Sequence, residues 1–289
     1  MTHWFSYPNI DPIAFRIGPQ MTVHWPLGIT FSLPISVHWY GLSYLFGFIC
    51  VYLWMSRPAG RRRLGLTPDQ IQDFLVYALV GVLIGGRTLF VIADVITQHN
   101  LSQYLAYPIK FIAVWEGGMA FHGALVGVVI AIILFLRKHR GLDFNVLADE
   151  VVVLLPIGIA ATRVVNFINN ELQGKICDPD QPYCVVFPGM PGYRYPSQLF
   201  EGVLDIIVLP ILLVLYRQRP FDGVVAWTWF TYYGITRSIA EIWREPGFTF
   251  IGLSGGQLVA IPQIIIGIAL LVWSIRRARR TDVREVAVR

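Results

Sequence analysis

Seven apolar runs, each about as long as the hydrocarbon layer of a bilayer is thick, divide this chain. They lie near Val37–Met55, Phe74–Ile96, Met119–Leu136, Val146–Asn169, Leu199–Tyr216, Val224–Ile242 and Leu258–Ile275. In lipid a backbone amide has no water to bond, so a run of this kind must close its hydrogen bonds within the segment, as a helix does. The expected fold class is an all-α membrane protein with seven transmembrane helices. Pro156 and Arg237 interrupt the fourth and sixth runs. Only 14% of the 289 residues are charged, against about a quarter in soluble domains.

The basic residues are not scattered. Arg57, Arg61, Arg62 and Arg63 follow the first run, Arg137, Lys138 and Arg140 the third, Arg217 and Arg219 the fifth, and Arg276, Arg277, Arg279 and Arg280 the seventh. The other connections hold only Lys110, Lys175, Arg194 and Arg244. By the positive-inside rule the N-terminus is expected outside and the C-terminus in the cytoplasm, with 276–289 a basic cytoplasmic tail. The net charge of +5 is then an orientation signal and not a nucleic-acid surface. Residues 1–36 carry Pro8, Pro12, Pro19, Pro26 and Pro34 without a basic start. They read as an interfacial lead-in to one integral membrane domain spanning 1–289, not as a cleavable signal peptide. Gly81, Gly85, Gly86, Gly117, Gly118, Gly123 and Gly127 suit close helix packing. Cys177 and Cys184, seven apart in an outer loop, are placed either to pair or to remain free thiols.

Against this background the end of the fourth run stands out. Gly158 to Gly174 holds Arg163, Asn166, Asn169, Asn170 and Glu171. Arg163, Asn166 and Asn170 share one helical face. Tyr40 opens the first run, His122 opens the third, and Arg237 and Glu241 sit one turn apart near the end of the sixth. Under the expected topology all lie toward the outer side. Any one of them has a plain structural explanation: a helix end among headgroups, or a buried ion pair between Arg237 and Glu241. Their coincidence on four runs fits convergent polar groups in an apolar setting. Arginines with amides suit an anion, because a guanidinium stays charged and binds phosphate in a planar fork. At the outer boundary of a membrane the simplest such anion is a phospholipid headgroup. No nucleotide-binding loop, zinc-ligand cluster or serine-nucleophile elbow is present. A carrier for an anionic solute could use the same arginines, but it would need polar residues continuing to the inner side, where they are scarce.

The motifs resemble the bacterial prolipoprotein diacylglyceryl transferases over nearly the whole chain. They include His38-Trp39-Tyr40-Gly41, Gly85-Gly86-Arg87, Trp115-Glu116-Gly117-Gly118-Met119-Ala-Phe-His122-Gly123 and Arg163-x-x-Asn166-Phe-Ile-Asn169-x-Glu171. Pro196-Ser197-Gln198-Leu-Phe-Glu201 and Tyr233-Gly234-x-x-Arg237-x-x-x-Glu241 complete the set. The resemblance implies a seven-spanning enzyme of the bacterial inner membrane. It would move diacylglycerol from phosphatidylglycerol to the lipobox cysteine of a preprolipoprotein, with no cofactor, metal or nucleic acid. It also implies His122, Arg237 and Glu171 as catalytic residues and Arg163, Tyr40, Asn166, Gly174 and Glu241 as substrate-binding ones. The chain departs from the pattern at Thr162, Val165 and Asn170, where the family favours glycine, and at Tyr195, where it favours histidine. Extra residues, including His24-Trp25, precede the first run.

Overall fold

Thr67-Pro68-Asp69-Gln70 encodes a helix start. The Thr67 hydroxyl accepts the Gln70 amide at 3.3 Å while the Gln70 side chain takes the Thr67 amide at 2.9 Å, a reciprocal cap that satisfies two donors. Pro68 costs nothing at the first helical position, where no amide partner exists. The helix then runs 31 residues, Pro68–Gln98, and stops where His99 turns left-handed. The computed structural model that shows this describes residues 4, 6–25, 29–114 and 118–288. The side chains of residues 20–35, 121–122 and 281–288 lie outside the description.

In chain order the elements are β1 (Ile13–Trp25), β2 (Ile29–His38), α1 (Trp39–Ser56), α2 (Pro58–Leu64), α3 (Pro68–Gln98), α4 (Leu101–Ala106), α5 (Phe121–Lys138), α6 (Phe144–Val152) and α7 (Leu155–Ile168). There follow β3 (Val185–Val186), β4 (Tyr193–Arg194), α8 (Ser197–Ile207), α9 (Leu209–Gln218), α10 (Val224–Ala240), β5 (Thr249–Phe250), β6 (Leu253–Ser254) and α11 (Gly255–Val288). Each of the seven apolar runs is helical. Among the described residues four helices are long and apolar enough to cross a membrane: Trp39–Ser56, Pro68–Gln98, Ser197–Gln218 and Gly255–Arg280. The pair α6 and α7, bent by 45°, makes a fifth if taken as one span. Pro156, in the first turn of α7, explains the break, since proline cannot continue the hydrogen bonding of a preceding helix.

The chain forms two compact units. One comprises Met21–Ser32 and Met55–Leu147. Within it α3 and α5 cross through glycines. A Cβ on Gly81 would lie 2.5 Å from the Gly127 carbonyl oxygen, and Cβ atoms on Gly85 and Gly123 would each overlap the other's carbonyl. Two glycines four apart on each helix let the backbones touch, which is the packing the sequence suggested.

The other unit comprises Met1–Gln20, Leu33–Trp54 and Ala148–Arg289. Here α7 packs on α8, and α10 on both α8 and α11. The Asp149 carboxylate reaches across to accept the Gly223 and Ala226 amides, both at 2.9 Å, and so caps α10 from a neighbouring helix. The lead-in is more ordered than its prolines suggested: β1 and β2 pair as a two-stranded ribbon. Proline is tolerated there because every strand of such a ribbon has a free edge. Ahead of the ribbon, Tyr7 donates to the Ile168 carbonyl at 2.6 Å and packs on Phe167 and Phe187. Cys177 and Cys184 are disulfide-bonded, with Cα atoms 6.1 Å apart.

Candidate active site

Asn166 is 1% exposed, and a buried amide must find partners. Its nitrogen donates to the Tyr40 hydroxyl at 2.8 Å and to Glu171 Oε2 at 2.9 Å. Asn169 approaches the other Glu171 oxygen at 3.4 Å. Glu171 is brought back toward Asn166 because α7 ends there: its amide donates to the Asn166 carbonyl at 2.9 Å, and Asn170 adopts positive φ. The Gln198 side chain, at the start of α8, holds the Glu171 carbonyl. Three residues expected in the site thus form one hydrogen-bonded group.

A second group is ionic. On α8, Glu201 and Asp205 lie one turn apart and are both buried. Arg163 Nη2 meets Glu201 Oε1 at 2.8 Å, and Arg163 Nε lies 3.7 Å from Asp205 Oδ2. Arg237 Nη1 lies 3.6 Å from Glu201 Oε1 while its Nη2 binds Glu241 at 2.5 Å. Arg244 Nη1 lies 3.6 Å from Glu201 Oε2. Three guanidiniums therefore converge on one carboxylate, and Tyr233 accepts from Arg163 at 3.3 Å. Sequence reading missed Glu201 as their common partner and Asp205 altogether. The available signal was two acids at i, i+4 inside an apolar run.

The contacts at 3.6–3.7 Å are too long to be hydrogen bonds. Arg163 Nε and Arg237 Nη1 are buried and donate no hydrogen bond within the described residues. The guanidiniums are neutralised in sum by Glu201, Asp205 and Glu241, yet donor capacity is left over. Beyond the end of α10, burial and then the neighbouring Arg237 charge push Arg244 below the usual arginine range. An anion arriving here would relieve that crowding.

Gly174 serves by its lack of a side chain. A Cβ there would come within 2.7 Å of the Trp243 carbonyl oxygen and overlap that of Tyr195. Its amide donates to Tyr195 at 3.1 Å, and its carbonyl accepts Arg194 at 2.9 Å. It also bridges to Arg244. Glu241 is buried and bound to Arg237. His122 is the second residue of α5, in the unit that carries α3. Its side chain lies outside the described residues, as does that of His24.

Residues 28–273 match the family model described as prolipoprotein diacylglyceryl transferase. A relative from Geobacter sulfurreducens named phosphatidylglycerol–prolipoprotein diacylglyceryl transferase is 39% identical over 279 residues, covering 94% of this chain and 98% of the relative. Relatives of the same name from Shigella boydii and Escherichia coli are each 34% identical over 308 residues, covering 97% of this chain and 98% of theirs. Family matching and near full-length identity agree with the motifs around Arg163 and Arg237, so the chain belongs to the prolipoprotein diacylglyceryl transferase family.

Proposed function

We propose that this protein transfers the diacylglyceryl group of phosphatidylglycerol to the lipobox cysteine of a preprolipoprotein, the first step of lipoprotein maturation. The observation that carries the reading beyond family membership is the convergence of Arg163, Arg237 and Arg244 on Glu201, with donors of Arg163 and Arg237 unused. The thiolate attacks the glycerol carbon that bears the phosphate. A carbon–sulfur bond forms, the carbon–oxygen bond breaks with its electron pair going to oxygen, and glycerol phosphate leaves. Charge grows on that phosphate in the transition state, where fixed donors in a dry site are most effective. Arg163 and Arg237 supply them.

The thiol must also lose its proton, since a free cysteine has a pKa of about 8.5. His122 is the proposed base. Glu171 is the alternative: Asn166 holds its carboxylate, and the Tyr40 hydroxyl in turn fixes the Asn166 amide. Purified protein given phosphatidylglycerol and a lipobox peptide is expected to yield lipid-modified peptide and free glycerol phosphate. His122→Gln should bind the lipid normally and slow transfer by about 10²–10⁴-fold. Lost lipid binding in that variant would assign His122 to the headgroup instead, and absence of modified peptide from the parent protein would remove the enzymatic reading.

The accompanying arrangement is seven spans in the bacterial inner membrane, N-terminus outside, C-terminus cytoplasmic and the site toward the outer face. The arginines that follow the first, third and fifth apolar runs, and the basic stretch 276–280 in the later part of α11, support it. In a Cys50→Ala background, an impermeant thiol reagent applied to intact cells should label Pro191→Cys and spare Arg62→Cys. Both positions are exposed on the protein, and the opposite pattern would invert the topology.

A further inference from the structure

Helix α10 ends at Ala240 and α11 begins at Gly255, and between them β5 and β6 form an antiparallel ribbon with Phe250 opposite Leu253. Ile251 and Gly252 close it, with φ of 52° and 76°. A two-residue turn of this hand needs positive φ at both positions, and Asn-Gly is its usual sequence. A β-branched residue at positive φ is a genuine outlier, and such strain is an observation from which function can be inferred. Asparagine would relieve it. The chain instead keeps an isoleucine that is 83% exposed, flanked by Phe250 at 61% and Phe248 at 63%.

What surrounds this tip is indicated by its neighbours in sequence. Residues 246–275 contain no Asp, Glu, Lys or Arg, so the tip is continuous in character with α11, one of the helices apolar enough to cross a membrane. Charge returns only at the base, where Glu245 pairs with Arg194 at 3.1 Å. Phe248 turns back over the start of α11: its carbonyl accepts the Gly255 amide at 3.2 Å, and its ring fills the space a Gly255 Cβ would need. The ribbon is thereby fastened to the first turn of α11, with Phe248 packed beside the start of that apolar helix. A charged base and an apolar tip are the two ends expected of an element that sits at a lipid boundary.

We infer that the β5–β6 tip is seated in the bilayer, with Phe250 and Ile251 among the upper acyl chains of the leaflet next to the arginine cluster. Its partner is a lipid surface. The inference rests on the proposed placement of the α10–α11 connection at the membrane boundary. It gives the strained Ile251 a role: the apolar turn residue fixes how deeply the chain from Arg244 to Ser254 sits, and hence the height of the arginines relative to the headgroups.

The test uses the full-length protein, Cys50→Ala, in lipid nanodiscs containing phosphatidylglycerol. An environment-sensitive fluorophore is attached at Ile251→Cys and, in a second variant, at Phe250→Cys, with Pro191→Cys as an exposed reference. Both tip labels are expected to emit to the blue of the reference and to be quenched by lipids carrying a quencher high on the acyl chain. Ile251→Asn should hold or raise the thermal midpoint in detergent, because it removes backbone strain, while moving a Phe250→Cys label toward the aqueous reading. Tip labels quenched from water and untouched by lipid quenchers would overturn the inference. Labels that become shielded only when a lipobox peptide is added would also overturn it and give the tip to the peptide. Nanodiscs expose both faces, so the depth reading does not depend on which face is outer. An inverted topology in the labelling experiment is therefore a separate failure.

Discussion

Arg163→Lys is expected to lower single-turnover diacylglyceryl transfer by about a hundred- to a thousandfold. Arg163 reaches three groups at once: Nη2 lies against Glu201 and the Tyr233 hydroxyl, and Nε faces Asp205. A lysine keeps the charge but has one nitrogen on a flexible stem, so it cannot span the same set. Any phosphate contact made through Nε in the transition state disappears. Losing one donor of that kind costs roughly 2.7–4 kcal/mol in comparable sites, which is the stated range in rate. Retention of charge should keep the buried carboxylates compensated, so the thermal midpoint should change far less than the rate. The check is transfer to a lipobox peptide under single-turnover conditions beside a melting curve in detergent. Transfer at the parental rate would remove Arg163 from the chemistry, and parallel loss of both would make it structural.

The second large effect is expected in the other unit, at the crossing of α3 and α5. Gly127→Val should prevent α3 and α5 from docking. Even a single methyl at Gly127 would overlap the Gly81 carbonyl, and backbone, unlike a side-chain tip, has no rotamer into which it can retreat. Ordinary overpacking costs about 1–3 kcal/mol. Here two helices must separate along the whole crossing, so the outcome should be poor recovery of monodisperse protein or a strongly lowered melting temperature. Gly41→Ala, which meets nothing within 4 Å, is the matched substitution and should melt like the parent. Equal melting of the two would show that the crossing can open without loss.

The same comparison of side-chain environments explains what was legible in the sequence. Apolar runs gave away the helices because lipid and core both demand them, and Pro156 marked the bend between α6 and α7. Arg163 and Asn166 were conspicuous because polar groups are costly in an apolar run. Glu201 and Asp205 obeyed the same rule, but their partners lie on α7 and α10, and only tertiary packing brings those helices to α8. The pairing of β1 with β2 was hidden by prolines that read as breaks. The β5–β6 turn was hidden because Ile-Gly stands where Asn-Gly would have announced it.

The loop between α7 and α8 is commonly the kind of segment one imagines lifting to admit a substrate. Here its backbone is sewn to the end of α10. The Lys175 amide donates to the Trp243 carbonyl at 2.8 Å, and the Lys175 ammonium to that of Ile242 at 3.0 Å. Gly174 bridges to Arg244, and Arg194 joins Glu245. Loop and helix end are therefore tied to one another at several points, one of them at Arg244 itself. On the proposed function, a lipid or peptide bound for Arg244 would then have to approach from beside this tie and not from above it. Lifting the loop away from α10 would have to break the Lys175 hydrogen bonds and the Gly174–Arg244 bridge together.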